Sequence, residues 1–243
     1  MANYVLVHGA WHGSWCWKRV RDSLQDAGHR VFTPTLTGVG ERSHLISRDI
    51  NLDTHIADVA NLIRWEELAE VILCGHSYGG CVISGVADRI PERMRALVYL
   101  DAFVLEDGES LFDMAPDRGA RMREQARATG DSWKVAPIPA AAFGVNAADR
   151  AWVDAQCTPQ PIGCFEQKIR LTGACQRVHD VTHILATGFR EGSPFPVAHE
   201  RAKARCWKTE TVACGHDVML DLPQELTALL ARIAGAKAAA PNA

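Results

Sequence analysis

The sequence lacks any run of basic residues. Its 26 Lys and Arg stand against 29 Asp and Glu, a net charge of −3 with a pI near 6.4, so the electrostatic footprint of a nucleic-acid-binding surface is missing. No apolar stretch approaches the roughly 20 residues that cross a bilayer, and a membrane role is not expected. The opening MANYVLVHGA carries no basic region or cleavage signal, which predicts no secretory leader and a cytoplasmic location. Eight cysteines, at 16, 74, 81, 157, 164, 175, 206 and 214, include no C-x-x-C pair, against a zinc ribbon or a thioredoxin-type site. Most are expected to be reduced packing residues, with Cys74 and Cys81 in apolar surroundings. Neither G-x-G-x-x-G nor G-x-x-x-x-G-K-[ST] occurs, which leaves dinucleotide and phosphate-loop binding without support. His179 and His183 share a helical spacing but fall where a strand begins, with no carboxylate and histidine set beside them. No metal and no cofactor is expected.

What is present centres on residues 71–80, VILCGHSYGG. An apolar run bounded by glycine suits a buried strand, and the following CVISGVADRI has the spacing of a helix packed on a sheet. The motif G-x-S-x-G therefore sits at a strand-to-helix turn. There the serine is forced into a strained conformation, Gly75 and Gly79 relieve crowding, and Ser77 Oγ projects above the sheet. The helix that starts beside it aims free N–H groups at the same spot.

The rest of the chain alternates strand and helix. Strands are predicted at Tyr4–Val7, Arg30–Pro34, 71–74, Arg95–Leu100, Thr182–Ala186 and Thr209–Ala213. Helices follow the first and third of these, span Leu52–Trp65, and close the chain from about Pro223 to Ile233. That order implies an α/β fold with a mostly parallel, about six-stranded sheet and helices on both faces. With 243 residues, 47% of them hydrophobic, the chain has material for one such domain. The rhythm breaks between 104 and 180, which is expected to be a helical cap inserted between a first core part, 1–103, and a second, 181–234. Arg118, Arg121, Arg123 and Arg127 in that interval read as a solvated helix face. Residues 235–243 read as a flexible tail.

Serine needs a base to become a nucleophile, and acyl transfer needs donors for the oxyanion. His216, in ACGHDVMLDLP just past the last strand, lies at the same sheet edge as Ser77 and is the expected general base. The oxyanion donors are expected to be the backbone N–H groups of Tyr78, after the nucleophile, and Ala10, after the first strand. His8 is expected to brace that loop rather than titrate. A metal-free, cofactor-free serine hydrolase follows. A non-catalytic receptor on the same fold is the alternative, and it is disfavoured by the presence of both serine and histidine.

HGAWHGSWCW at 8–17, GHSYGG at 75–80 and GHDVMLDLP at 215–223 resemble the α/β-hydrolase superfamily. More narrowly, they resemble its small-cap group of plant methylesterases, hydroxynitrile lyases and bacterial esterases, including methyl carbamate (carbendazim-type) hydrolases. The resemblance implies Ser77 as nucleophile and His216 as base. Plant relatives carry the triad aspartate after the penultimate strand, where this chain has TGFREGSP at 187–194 and no aspartate. Two candidates stay open: Glu191 in that loop, and Asp101 at the end of the fourth strand, where a carboxylate without a partner would be costly to bury. Asp217 is expected to be too constrained to orient its neighbour. The resemblance also argues against a hydroxynitrile lyase, because those enzymes carry threonine at the position of Gly9, glutamate at His76 and lysine at Asp217.

The substrate is expected to join an apolar or aromatic acyl group to a small alcohol such as methanol, with a methyl carbamate as the alternative. Trp11, Phe103 and Trp133 are the expected substrate contacts. Leu111, Phe112, Met114, Phe143, Trp152 and Phe165 offer further apolar surface, and no basic residue is expected in the pocket. Trp15 and Trp17 are expected to be packing residues. The partner is then a small molecule, and the oligomeric state is open.

Overall fold

Strand β1 (Asn3–Val7), buried along nearly its whole length, shares a parallel sheet with β2 (Arg30–Phe32), β3 (Val71–His76), β4 (Met94–Leu100), β7 (Val181–Ala186) and β8 (Lys208–Val212). The order across the sheet is β2-β1-β3-β4-β7-β8. The computed structural model describes residues 1–129, 131–188 and 193–235. Central β3 is buried at all six positions, whereas the outer β8 is mostly exposed, the contrast expected of a sheet covered on both faces at its middle.

Helices α1 (Lys18–Asp26), α2 (Leu52–Trp65), α3 (Gly79–Arg89), α8 (Phe195–Ala204) and α10 (Pro223–Gly235) cover the sheet. Helix α2 starts where Asn51 accepts from the Thr54 N–H at 3.1 Å while Thr54 Oγ1 accepts from the Asn51 N–H, a reciprocal cap. Its inner face presents Ile56, Val59 and Ile63. A Cβ at Gly85 of α3 would lie 2.3 Å from Ile56 Cδ1, so glycine sets the approach of these two helices.

Register positions the site. Val7 pairs with Gly75, His76 with Leu100, and Leu100 with Ile184. The carboxyl ends of four neighbouring strands are thus level, and the turns after them place Ala10, Ser77 and Asp101 in one row. Ligands bind at this edge in open α/β sheets.

Between β4 and β7 the chain forms α4 (Leu111–Met114), α5 (Pro116–Ala128), α6 (Arg150–Gln156) and α7 (Gly163–Glu166), with short 3-10 turns. It also forms an antiparallel pair, β5 (Lys134–Val135) with β6 (Gln160–Pro161). The sequence predicts no strand here; two-residue strands, one ending in proline, carry no periodicity to read. Helix α8 and the one-turn α9 (Val218–Asp221) also lie outside the predicted elements. Among the described residues no helix is long and apolar enough to cross a membrane.

Candidate active site

Ser77 has φ +54, the left-handed conformation that the strand-to-helix turn imposes and that costs an L residue of order 1–3 kcal/mol. The turn is held by the Ser77 N–H donating to Leu100 O and by the Gly80 and Phe103 N–H groups donating to Ser77 O. Its neighbours must be glycine. A Cβ at Gly75 would stand 2.5 Å from Gly79 O, one at Gly79 would stand 2.8 Å from Val7 O, and one at Gly80 would stand 2.3 Å from Phe103 O. The third of these constraints is not part of the sequence motif.

Ser77 lines a cavity of about 20 Å³ together with Ala10, Trp11, Tyr78 and Phe103 on the core side. The opposite wall comes from the inserted segment: Leu111, Arg118, Met122, Phe143 and Phe165. This volume is about enough for one water molecule. A larger cavity of about 710 Å³ lies elsewhere, against Tyr99, Trp207 and Arg205, and among the described residues none of the expected site residues lines it.

The Ala10 and Tyr78 N–H groups make no backbone hydrogen bond among the described residues, as oxyanion donors require. The loop bearing Ala10 is tied on both sides. His8 Nε2 accepts from the Leu36 N–H at 3.0 Å, so its Nδ1 carries the proton that it donates to Gly9 O at 2.7 Å. Burial pushes His8 down to about 3, and it braces the loop as a neutral ring. Trp11, with φ +65, donates its N–H to Gln160 Oε1 at 2.8 Å and its indole N–H to Val135 O at 3.1 Å. The loop that follows β1 is thereby fastened to the β5–β6 pair.

His216 Nδ1 lies 2.6 Å from Asp101 Oδ2. Asp101 is fully buried, has φ +40, and accepts the Ala186 N–H on Oδ1 at 3.0 Å. Burial holds its carboxyl above the ordinary range, with the Ala186 N–H acting in the opposite direction. Burial pushes His216 down to about 3, the Asp217 carboxylate working against that and His12 and Arg118 with it. With Nδ1 turned to the carboxylate, the basic nitrogen of a neutral ring is Nε2, the arrangement a general base requires. The other candidate acid, Glu191, lies outside the described residues.

Asp217 does not face His216 Nδ1; it pairs with His12, Oδ2 to Nε2 at 3.2 Å. His76 donates from Nε2 to His216 O at 3.0 Å, and the two rings pack at 4.4 Å. Among the described residues, His76, His216 and Asp217 have nitrogen and oxygen atoms within 4.8 Å of one another. Several of those atoms are already engaged, by Asp101, His216 O and His12. His183 is engaged too, with Nε2 on Ala102 O and Nδ1 against His199.

Two expectations about the pocket need correction. Trp133 does not line the cavity; its ring faces the Lys134 ammonium at 4.8 Å and its carbonyl accepts from the Ile162 N–H. Arg118 does line it and is half-buried, although the sequence places it on a solvated face with no basic residue in the pocket. Arg121 and Arg127 of the same helix are exposed, while Arg123 pairs with Glu166. At 3.6 residues per turn, Arg118 shares a helix face with the residue four positions on. Met122, not foreseen, follows from the same geometry. Phe112, Met114 and Trp152 lie outside the lining.

Comparison with known proteins agrees with this architecture. Residues 4–229 match the family model described as "Alpha/beta hydrolase family". The chain is 46% identical over 243 residues to a "Carbendazim hydrolyzing esterase" of Nocardioides sp. (strain SG-4G), covering 96% of this chain and 100% of that one. It is 36% identical over 103 residues to an "Alpha-hydroxynitrile lyase" of Arabidopsis thaliana, covering 42% of this chain and 40% of the other. An extracellular alpha/beta-hydrolase from a Paenibacillus species superposes with a TM-score of 0.80 at 22% identity, over 96% of this chain and 99% of that one.

Proposed function

The chain belongs to the alpha/beta hydrolase family, and from that premise we propose that it is a serine carboxylic-ester hydrolase working through an acyl-enzyme. The observation that carries the reading is one arrangement. A strained Ser77 sits in a cavity beside two N–H groups without backbone partners, and the His216 ring beside that turn is oriented by Asp101 at 2.6 Å.

In the reaction, Ser77 Oγ attacks the ester carbonyl carbon as its proton passes to His216 Nε2. The developing oxyanion is received by the Ala10 and Tyr78 N–H groups, and Asp101 stabilises the imidazolium without taking its proton. Collapse breaks the bond to the alcohol, which leaves with the proton from His216. Water then attacks the acyl-enzyme, again losing its proton to His216, and releases the acid.

The substrate class is a small ester with an apolar or aromatic acyl group and a small alcohol, because Trp11, Phe103, Leu111, Met122, Phe143 and Phe165 supply apolar side chains around Ser77, with Arg118 the basic residue beside them. Burying a ring there is worth a few kcal/mol at about 25 cal/mol per Å², which holds the carbonyl over the serine. Methyl carbamate hydrolysis is the second reading, favoured by the named activity of the 46% identical relative.

The test combines labelling with a substrate panel. A fluorophosphonate should add mass at Ser77 and nowhere in Ser77→Ala. Initial rates on methyl benzoate-like esters, carbendazim and long-chain p-nitrophenyl esters then rank the classes. Labelling that persists in Ser77→Ala defeats the mechanism, and a strong preference for chains of twelve or more carbons defeats the substrate class.

A further inference from the structure

His12 is 2% exposed and has two close partners. Its Nδ1 lies 2.7 Å from Ala10 O, and its Nε2 lies 3.2 Å from Asp217 Oδ2. A backbone carbonyl and a carboxylate only accept hydrogen bonds, so both ring nitrogens must carry protons. A neutral His12 would aim a lone pair at one of two oxygens. The ring lies flat on Trp15, with centroids 4.9 Å apart at 17°, and Trp15 meets Trp152 of α6 edge-on at 5.0 Å. One buried cation thus touches the residue that carries an oxyanion donor, the residue next to the base, and a stack reaching the inserted segment.

We propose that His12 is a positioning residue, held as an imidazolium, that locks the oxyanion loop at Ala10 to the base loop through Asp217. The inference rests on the reading of Ala10 as an oxyanion donor and His216 as the base. Neither His12 nor Asp217 touches substrate; together they fix the distance between two groups that must act on the same tetrahedral carbon. A misplacement of about 1 Å at such a site costs about 10²-fold in rate.

The charges support the assignment. Burial alone would push His12 down, but the Asp217 carboxylate holds it well above the ordinary imidazole value. Burial alone would push Asp217 up, and His12 brings it below the ordinary carboxylate range. The titratable groups facing His12 are Asp217, Cys157 with Sγ 4.0 Å from Nδ1, His76 with its ring 6.3 Å away, His8 and His216. Burial pushes His8, His76 and His216 down, so the cation rests on His12. Because its value is raised, the lock is intact at and below neutral pH and is released as pH rises through that value.

The test uses the full-length protein. Nitrogen-15 spectra should give wild-type His12 the signature of two protonated ring nitrogens at pH 8. Asp217→Leu should lower kcat about 10²-fold with KM within about twofold. Asp217→Asn should recover most of that loss, since the introduced amide can donate to a neutral His12 Nε2, and it should abolish the alkaline fall in kcat. Because His12→Ala alone strands a buried carboxylate and can fail to fold, it is combined with Asp217→Leu. The pair should be no slower than Asp217→Leu by itself. A neutral His12 at pH 7, or wild-type kcat in Asp217→Leu, overturns the proposal while fluorophosphonate labelling of wild-type Ser77 leaves the esterase reading standing. Absence of that labelling overturns both.

Discussion

His216 Nδ1 and Asp101 Oδ2 are 2.6 Å apart although 115 residues separate them in the chain. Asp101 directly follows β4, the strand beside β3, so in the proposed mechanism the triad acid comes from the strand neighbouring the one that leads into Ser77. Asp101→Asn is expected to lower kcat about 10⁴-fold with little change in KM, the loss that follows when a triad acid is neutralised and the histidine takes the wrong tautomer. Glu191→Gln should leave kcat near wild type, because Asp101 already occupies the Nδ1 side. Steady-state kinetics of the two variants decide the assignment, and the reverse result transfers the role to Glu191.

The acid limb of activity is expected far below the ordinary imidazole value of about 6.5. Burial pushes His216 down to about 3, and a base is lost only when pH falls through its own value, so kcat/KM should stay level from neutral into mildly acidic solution. The profile of kcat/KM, which reports groups of the free enzyme, checks this. An inflection near 6.5 would contradict it.

The elbow should reject any side chain at Gly80. Since a Cβ there would stand 2.3 Å from Phe103 O and 2.9 Å from Ala102 Cβ, Gly80→Ala must displace backbone that also carries the turn after Asp101. Overpacking of this kind costs about 1–3 kcal/mol or more. A lower Tm is expected, together with slower fluorophosphonate labelling of Ser77. An unchanged Tm would show that the turn has slack.

Acyl-group size should be governed from the inserted segment. Met122 and Phe165 wall the cavity and are 5% and 1% exposed. Phe165→Ala should raise kcat/KM for bulky aryl esters relative to methyl acetate, while costing about 3–5 kcal/mol of stability as a large-to-small core change. Relative rates on a series of acyl groups measure the effect. A uniform decrease across the series would mean that the ring only holds the segment in place.

Elements whose signal is local were legible in the sequence. The inner strands announce themselves as short apolar runs, the outer β8, KTETV, only by its place in the strand-helix alternation, and the structure moves the ends of the six predicted strands by one or two residues. Ser77 was legible because the steric demands of a strand-to-helix turn fall on its immediate neighbours, and His216 because its place after the last strand puts it at the same sheet edge. The bracing role of His8 could be anticipated from its position in the loop, since its partners, Gly9 and Leu36, lie nearby in the chain.

Contacts between distant segments were not legible, because their energies depend on distances that no spacing encodes. Asp101 and Glu191 satisfy the same chemical requirement, and only strand register brings Asp101 under the His216 ring. Arg118 and Arg121 are alike in composition, yet one lines the cavity and the other is left in solvent, because what packs against the helix decides between them. Asp217 appeared merely constrained, since nothing near it in sequence reveals His12, 205 residues earlier, as its partner. The sequence by itself determined the fold class, the place of Ser77 at its strand-to-helix turn and the place of His216 at the same sheet edge, through steric and periodic rules that act over a few residues. The partner of His216 Nδ1, the cavity wall and the pairing of His12 with Asp217 were decided only by tertiary packing, where burial makes a charge or a bare polar atom tolerable solely when a partner from elsewhere in the chain arrives within hydrogen-bond distance.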